Sequence, residues 1–243
     1  MFVFLALVFG VGFVAFGVGS DVQGGIADVL GVGSGGTGLP SVDDAREKLE
    51  DNPNDAGALR ELVTALQTAG NSEEAIEPLE RYTTLRPRDA DALSELGGLY
   101  LTEASQLRNE LQLAQFEAQL LNPGGDLLPP ADSPLGKALG ARPVTDAVSA
   151  RANERVNRLF SEQSSAYDQA KTTYQRLARL NPGDANVQIQ LADAAQNAGD
   201  TQTALAAYRR FVKLAPDDPS APLVRQEIER LQASSAGIGA AGG

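Results

Sequence analysis

Any chemistry in this chain would have to come from carboxylates. The sequence contains no His and no Cys. Ser-His-Asp and Cys-His mechanisms are therefore excluded, as are thiolate and imidazole metal ligands. Three adjacent acidic pairs remain: Asp43/Asp44, Glu73/Glu74 and Asp217/Asp218. Two neighbouring carboxylates can share general acid and base work. Each pair, however, falls where a helix should begin, and negative charge there complements the helix dipole. No phosphate-cradling loop is present, because Gly33–Gly38 lacks a lysine and a following helix. No metal-ligand cluster is visible and no cofactor is expected. The formal net charge is -12. Phosphate backbones require clustered cations, so nucleic acid is not an expected partner, and no small-molecule substrate is evident. The chain reads as a non-enzyme; catalysis by carboxylates alone is the outlying alternative.

The elements that would position any binding residues are marked by prolines. Pro53 and Pro87 are 34 residues apart, and so are Pro182 and Pro216; the gap from Pro87 to Pro182 is 95. A 34-residue period indicates an array of helix–turn–helix repeats, and the middle gap is one period plus an insertion. With each proline counted as position 32, full repeats start at Ala56, Ala90 and Ala185. Leu59, Leu62, Leu66, Ala75, Leu79 and Tyr82 are the inward positions of the first, at helical spacings of three and four. Leu191, Ala195, Ala204, Tyr208 and Phe211 repeat the pattern in the last. The middle repeat begins with Leu93, Leu96, Gly97 and Tyr100 and resumes only with Ala170, Tyr174 and Leu177. Gly70 and Gly199 are placed to end the first helices in the left-handed conformation. Asn71 or Ser72 is expected to cap the next helix after Gly70. Ser41–Asp51 reads as a lone second helix, and Ala221–Ala233 as a capping helix followed by a disordered tail at 234–243.

This set of positions, with Leu96-Gly97 and Tyr100 among them, resembles the tetratricopeptide repeat, of the bacterial single-pass membrane-anchored type. It departs at position 4, where Leu59, Leu93 and Gln188 stand in place of the usual Trp. The resemblance implies an all-α solenoid with a concave groove lined by the first helix of each repeat. The groove residues would be Arg60, Thr64, Gln67 and Thr68 in the first repeat. In the last they would be Asn186, Ile189, Gln190, Asp193, Gln196 and Asn197. Amide side chains donate and accept hydrogen bonds, so they suit an extended peptide backbone. The Lys and Asn pattern of carboxylate-clamp members is absent, and capture of a chaperone C-terminus is not expected.

Within the middle repeat the first helix is predicted to continue. Tyr100, Ala104, Leu107, Leu111, Ala114, Ala118 and Leu121 recur every 3.5 residues on average, which is the seam of a coiled coil. Val148, Ala152, Val156, Leu159, Gln163, Ala166 and Ala170 form an opposing stripe, with Thr145 as the expected N-cap. The expectation is an antiparallel helical hairpin over 104–166, with a Pro- and Gly-rich tip at 122–144. It is flanked by repeat parts at 41–103 and 167–233. A second stripe, Leu113, Phe116 and Leu120, faces away from the seam, and the tip adds Leu127 and Leu128. This stripe is either covered by a short tip helix or is an exposed patch for a partner or for self-association.

Residues 2–19 are uncharged and apolar. As a helix they would rise about 27 Å, close to the roughly 30 Å bilayer core. A membrane anchor over 1–20 is expected, with a glycine-rich linker over 21–40. A cleaved signal peptide is the alternative, but no basic residue precedes Arg46. The chain begins directly in the apolar run, so the true start would lie upstream of Met1. Ala6/Gly10 and Ala15/Gly19 are spaced to let two such helices approach. The expected protein is an interaction scaffold tethered to the cell membrane, with its soluble part outside the cytoplasm. It would serve envelope or secretion-related assembly; a soluble secreted or periplasmic adaptor-chaperone is the alternative.

Overall fold

Four turns of the form Pro-x-Asp separate the helical repeats: Pro53-Asn54-Asp55, Pro87-Arg88-Asp89, Pro182-Gly183-Asp184 and Pro216-Asp217-Asp218. Proline lacks an N–H and cannot continue the preceding helix. In each turn the Asp backbone N–H donates to the carbonyl just before the proline, on Asn52, Arg86, Asn181 and Ala215, at 3.1 to 3.3 Å. The Asp side chain then caps the next helix. Asp55 accepts from the amides of Gly57 and Ala58 at 2.8 and 3.1 Å, and Asp184 from those of Asn186 and Val187 at 2.8 and 3.4 Å. One residue thus closes the turn and satisfies otherwise orphaned donors of the following helix.

The computed structural model describes residues 41–121, 133–134 and 143–240, all within the unit Pro40–Gly243. The main helices are α1 (Val42–Asp51), α2 (Ala56–Thr68), α3 (Ile76–Leu85), α4 (Ala90–Leu121), α5 (Pro143–Leu180), α6 (Ala185–Asn197), α7 (Thr201–Leu214) and α8 (Ala221–Ala240). Each packs on its neighbour in the sequence, which is the contact order of a solenoid. There is no strand among the described residues.

Helices pair closely where side chains are small. Ala75, Ala170 and Ala204, the three position-20 alanines, are all completely buried. Gly97 is tighter still: a Cβ there would lie 2.7 to 3.0 Å from three ring carbons of buried Tyr174. Gly70 and Gly199 have φ of 82° and 79°. Around each, the helix ends in a Schellman motif: Asn71 and Asp200 donate to Leu66 and Ala195, both at 2.8 Å. Glycine is needed at both sites because side-chain-bearing residues resist positive φ.

Three local expectations change. Neither Asn71 nor Ser72 caps α3. Its start is a run of turns ending at Ala75, which makes no side-chain cap, and Ile76 donates to the Glu73 carbonyl at 3.2 Å. Thr145 is not an N-cap, because α5 already begins at Pro143, whose fixed φ suits the first helical position. The last helix runs to Ala240, past the expected end at Ala233; no proline follows to stop it. Residues 2–19 and Leu127 and Leu128 lie outside the described residues. Among the described residues no helix is long and apolar enough to cross a membrane.

Candidate partner-binding surface

The first helices of the outer repeats, α2 and α6, carry the residues expected to line a groove, and polar ties link them through α4 between them. Arg60 of α2 donates to Glu95 of α4, with its guanidinium carbon 5.9 Å from the Tyr82 ring centroid. Arg108 of α4 donates to Asn197 of α6 at 3.1 Å and to the Tyr167 hydroxyl, and it stacks 5.6 Å above the Tyr167 ring. Gln196 of α6 donates to Glu227 of α8 at 2.7 Å. These ties fix the spacing of the faces that would meet a ligand.

They also decide which expected groove residues are available. Thr64 donates back to the Arg60 carbonyl at 2.9 Å, and Asn197 to the Asp193 carbonyl at 2.8 Å. Tyr208 Oη lies 2.7 Å from both Asp193 Oδ1 and Gln196 Oε1. Burial pushes the Asp193 carboxyl above the usual carboxylate range; the Tyr208 hydrogen bond opposes this and the charge of Glu227 adds to it. Gln67, Asn186 and Gln190 are different. Among the described residues they find no side-chain hydrogen-bond partner, and Asn186 is exposed while Gln67 and Gln190 are half-buried. Their amides retain donors and acceptors for a guest chain. A cavity of about 460 Å³ lies beside this face, lined by Ile189, Asp193 and Tyr208 with Leu223, Glu227 and Arg230 of α8.

The long helices present a second surface. The seam residues Ala104, Leu111, Ala114, Leu159 and Ala166 are buried between α4 and α5. Arg155 pairs with Glu117 at 2.8 Å further along, and Gln163 reaches the Ala104 carbonyl at 3.5 Å nearer the repeats. The partner position falls as the other rises, so the two helices run antiparallel. Leu113, Phe116 and Leu120 remain 62%, 60% and 64% exposed, so no described element covers that stripe. At the base, Ala198 packs on the Ala104, Ala166 and Tyr167 cluster, and Lys171 reaches Asp200 at 3.6 Å.

The acidic pairs are not brought together. Asp43/Asp44, Glu73/Glu74 and Asp217/Asp218 each stand near the start of a different helix, and Glu74 pairs with Arg46 at 3.2 Å. Sequence reasoning missed Glu95, Arg108 and Glu227 as the partners that immobilise the inner face. The first had a visible signal: Arg60 and Glu95 are opposite charges at positions 5 and 6 of successive repeats.

Among the described residues the chain is an all-helical solenoid of paired helices with a polar inner face. The family model described as the tetratricopeptide repeat matches residues 60–115 and 160–219. These two segments carry tetratricopeptide repeats. No curated protein sequence matches the chain. Among solved structures, the crystal structure of MamA protein is 16% identical, covering 72% of this chain and 81% of that one, with a TM-score of 0.27. The crystal structure of YrrB, a TPR protein with an unusual peptide-binding site, is 14% identical. It covers 76% of this chain and 100% of that one, with a TM-score of 0.24.

Proposed function

We propose that this protein is a non-enzymatic interaction scaffold that binds a protein or peptide segment along the inner face of α2, α4 and α6. The observation that carries this reading is the contrast on that face. Arg60, Gln196 and Asn197 are spent on ties between helices, whereas the amides of Gln67, Asn186 and Gln190 are left without partners. Half-buried amides without partners lose part of their hydration and gain it back by bonding a guest backbone.

The outer parts of α4 and α5, over 104–166, are read as one helical hairpin inserted into the second repeat. Its exposed stripe, with the tip leucines, would add a second contact surface for a partner or another copy. Residues 2–19 would tether the scaffold to a membrane, with the repeats outside the cytoplasm in envelope or secretion-related assembly. Reporter fusions joined after residue 40 test that orientation, and a reporter active only in the cytoplasm rejects it.

The binding reading is tested by photocrosslinking in cells, with the probe placed at Gln190, at Phe116 or at exposed Arg209 on α7. Adducts with a protein partner are expected from Gln190 or Phe116. Adducts from Arg209 alone would refute the proposed surface.

A further inference from the structure

The four Pro-x-Asp turns do the same structural work, so they serve as controls for one another. The residues flanking proline are Asn52 and Asn54, Asn181 and Gly183, and Ala215 and Asp217 in three of them. Those choices show that the turn needs no cation. The turn between α3 and α4 differs: it reads Arg86-Pro87-Arg88-Asp89. Arg86 and Arg88 are exposed and have no acceptor among the described residues, in a chain whose net charge is -12. Neither the turn nor an ion pair accounts for them.

The structure gathers them with a third arginine. Arg60, Arg86 and Arg88 line one open cavity of about 670 Å³, together with Tyr82, Leu85 and Asp89. The acids nearby are already engaged. Asp89 accepts from the Tyr82 hydroxyl at 2.7 Å and from the Ala92 amide at 3.0 Å, and Glu95 takes Arg60. Three guanidiniums and one carboxylate, Asp89, line the cavity, and the Asp55 carboxylate beside Gly57 is engaged in capping α2, so the lining is cationic. The Tyr82 ring and Leu85, a large apolar side chain left 39% exposed, supply an apolar ledge beside the charge.

We infer that this cavity is a docking site for an acidic segment of a protein partner, with carboxylates on Arg86 and Arg88 and an apolar side chain against Tyr82 and Leu85. Guanidinium groups bind carboxylates through paired, charge-assisted hydrogen bonds. Charge complementarity selects this occupant, and the ledge favours a peptide over a free anion. Three cations at one point do not make the extended array that a nucleic acid backbone needs. The inference rests on the scaffold reading, because Arg60 belongs to the expected groove, and it names the chemistry of the guest.

The test uses the full chain in nonionic detergent and a fluorescein-labelled peptide of alternating glutamate and leucine, read by fluorescence anisotropy at low salt. The variant R86N/R88N rebuilds the Asn-Pro-Asn sequence of the Pro53 turn, so it should fold, and circular dichroism checks that it does. Its peptide affinity should fall at least about tenfold, roughly 1.4 kcal/mol. The charge-matched control R151N/R209N should lose no more than about twofold, as expected for distant exposed charges screened by salt. Equal losses in both variants would overturn the inference, since net charge alone would explain them. So would full displacement by inorganic phosphate at concentrations where acetate has no effect, or failure of the wild-type chain to bind the peptide. None of these results touches the Gln190 adducts, so the scaffold reading stands or falls separately.

Discussion

At the scale of single residues, Gly97, packed against Tyr174, has the least room of the described glycines. Gly97→Ala gains about 1 kcal/mol of helix propensity. It also drives a methyl group to within 2.7 Å of a buried ring, and overpacking of that kind costs about 1–3 kcal/mol. The clash should win, and urea denaturation should show G97A destabilised. The close atoms are ring carbons, so Y174F should not rescue it, whereas Y174L should restore part of the loss. This contact was partly legible in the sequence. Gly97 and Tyr174 were both assigned inward, but their touching depends on where α5 resumes after the long gap. The ties through Arg60, Arg108 and Gln196 were not legible, because long polar side chains choose among several partners only once the helices are placed.

At the scale of elements, the helix ends carry the predictions. Gly70 and Gly199 sit at positive φ in separate repeats. Gly70→Ala and Gly199→Ala should each cost about 1–2 kcal/mol. They should add in the double variant, since distant sites are independent. Asp200 caps α7 by accepting from the Thr203 amide at 3.0 Å. That backbone hydrogen bond, outweighing the opposing effect of burial, holds its carboxyl below the usual range. A depressed folded pKa gives stability that is present above the unfolded value, near about 4, and is lost as pH falls through the folded value. Asp200→Ala should therefore cost about 1 kcal/mol at neutral pH, with the gap to wild type closing in thermal melts taken below about pH 4. Helix ends marked by proline and glycine were readable because those residues act through their own backbone. The start of α3 was not, because Asn71 is drawn into the Schellman motif and the chain enters α3 through turns rather than a side-chain cap.

For the whole molecule, the period of the prolines foretold the repeat array, and the 3.5-residue stripes foretold which faces of α4 and α5 meet. Apolar periodicity made both legible, although Leu113, Phe116, Leu120 and the seam residue Val148 share such a pattern and stay exposed. The binding surface was legible only as a list of positions. Which amides stay free depends on ties made between helices far apart in sequence. On the reading proposed above, residues 104–166 are an addition to an otherwise ordinary repeat. Glu103 and Tyr167 occupy positions 14 and 17 of the repeat, and a Gly-Asn pair fills positions 15 and 16 in the first repeat, at Gly70 and Asn71. The direct measurement is cooperative unfolding of a chain in which Gly-Asn replaces 104–166. The expected product is a helical protein with one sharp transition and Tyr174 still protected from solvent. An aggregated or molten product, from a full chain that itself unfolds cooperatively, would contradict that reading and make the two long helices part of the core.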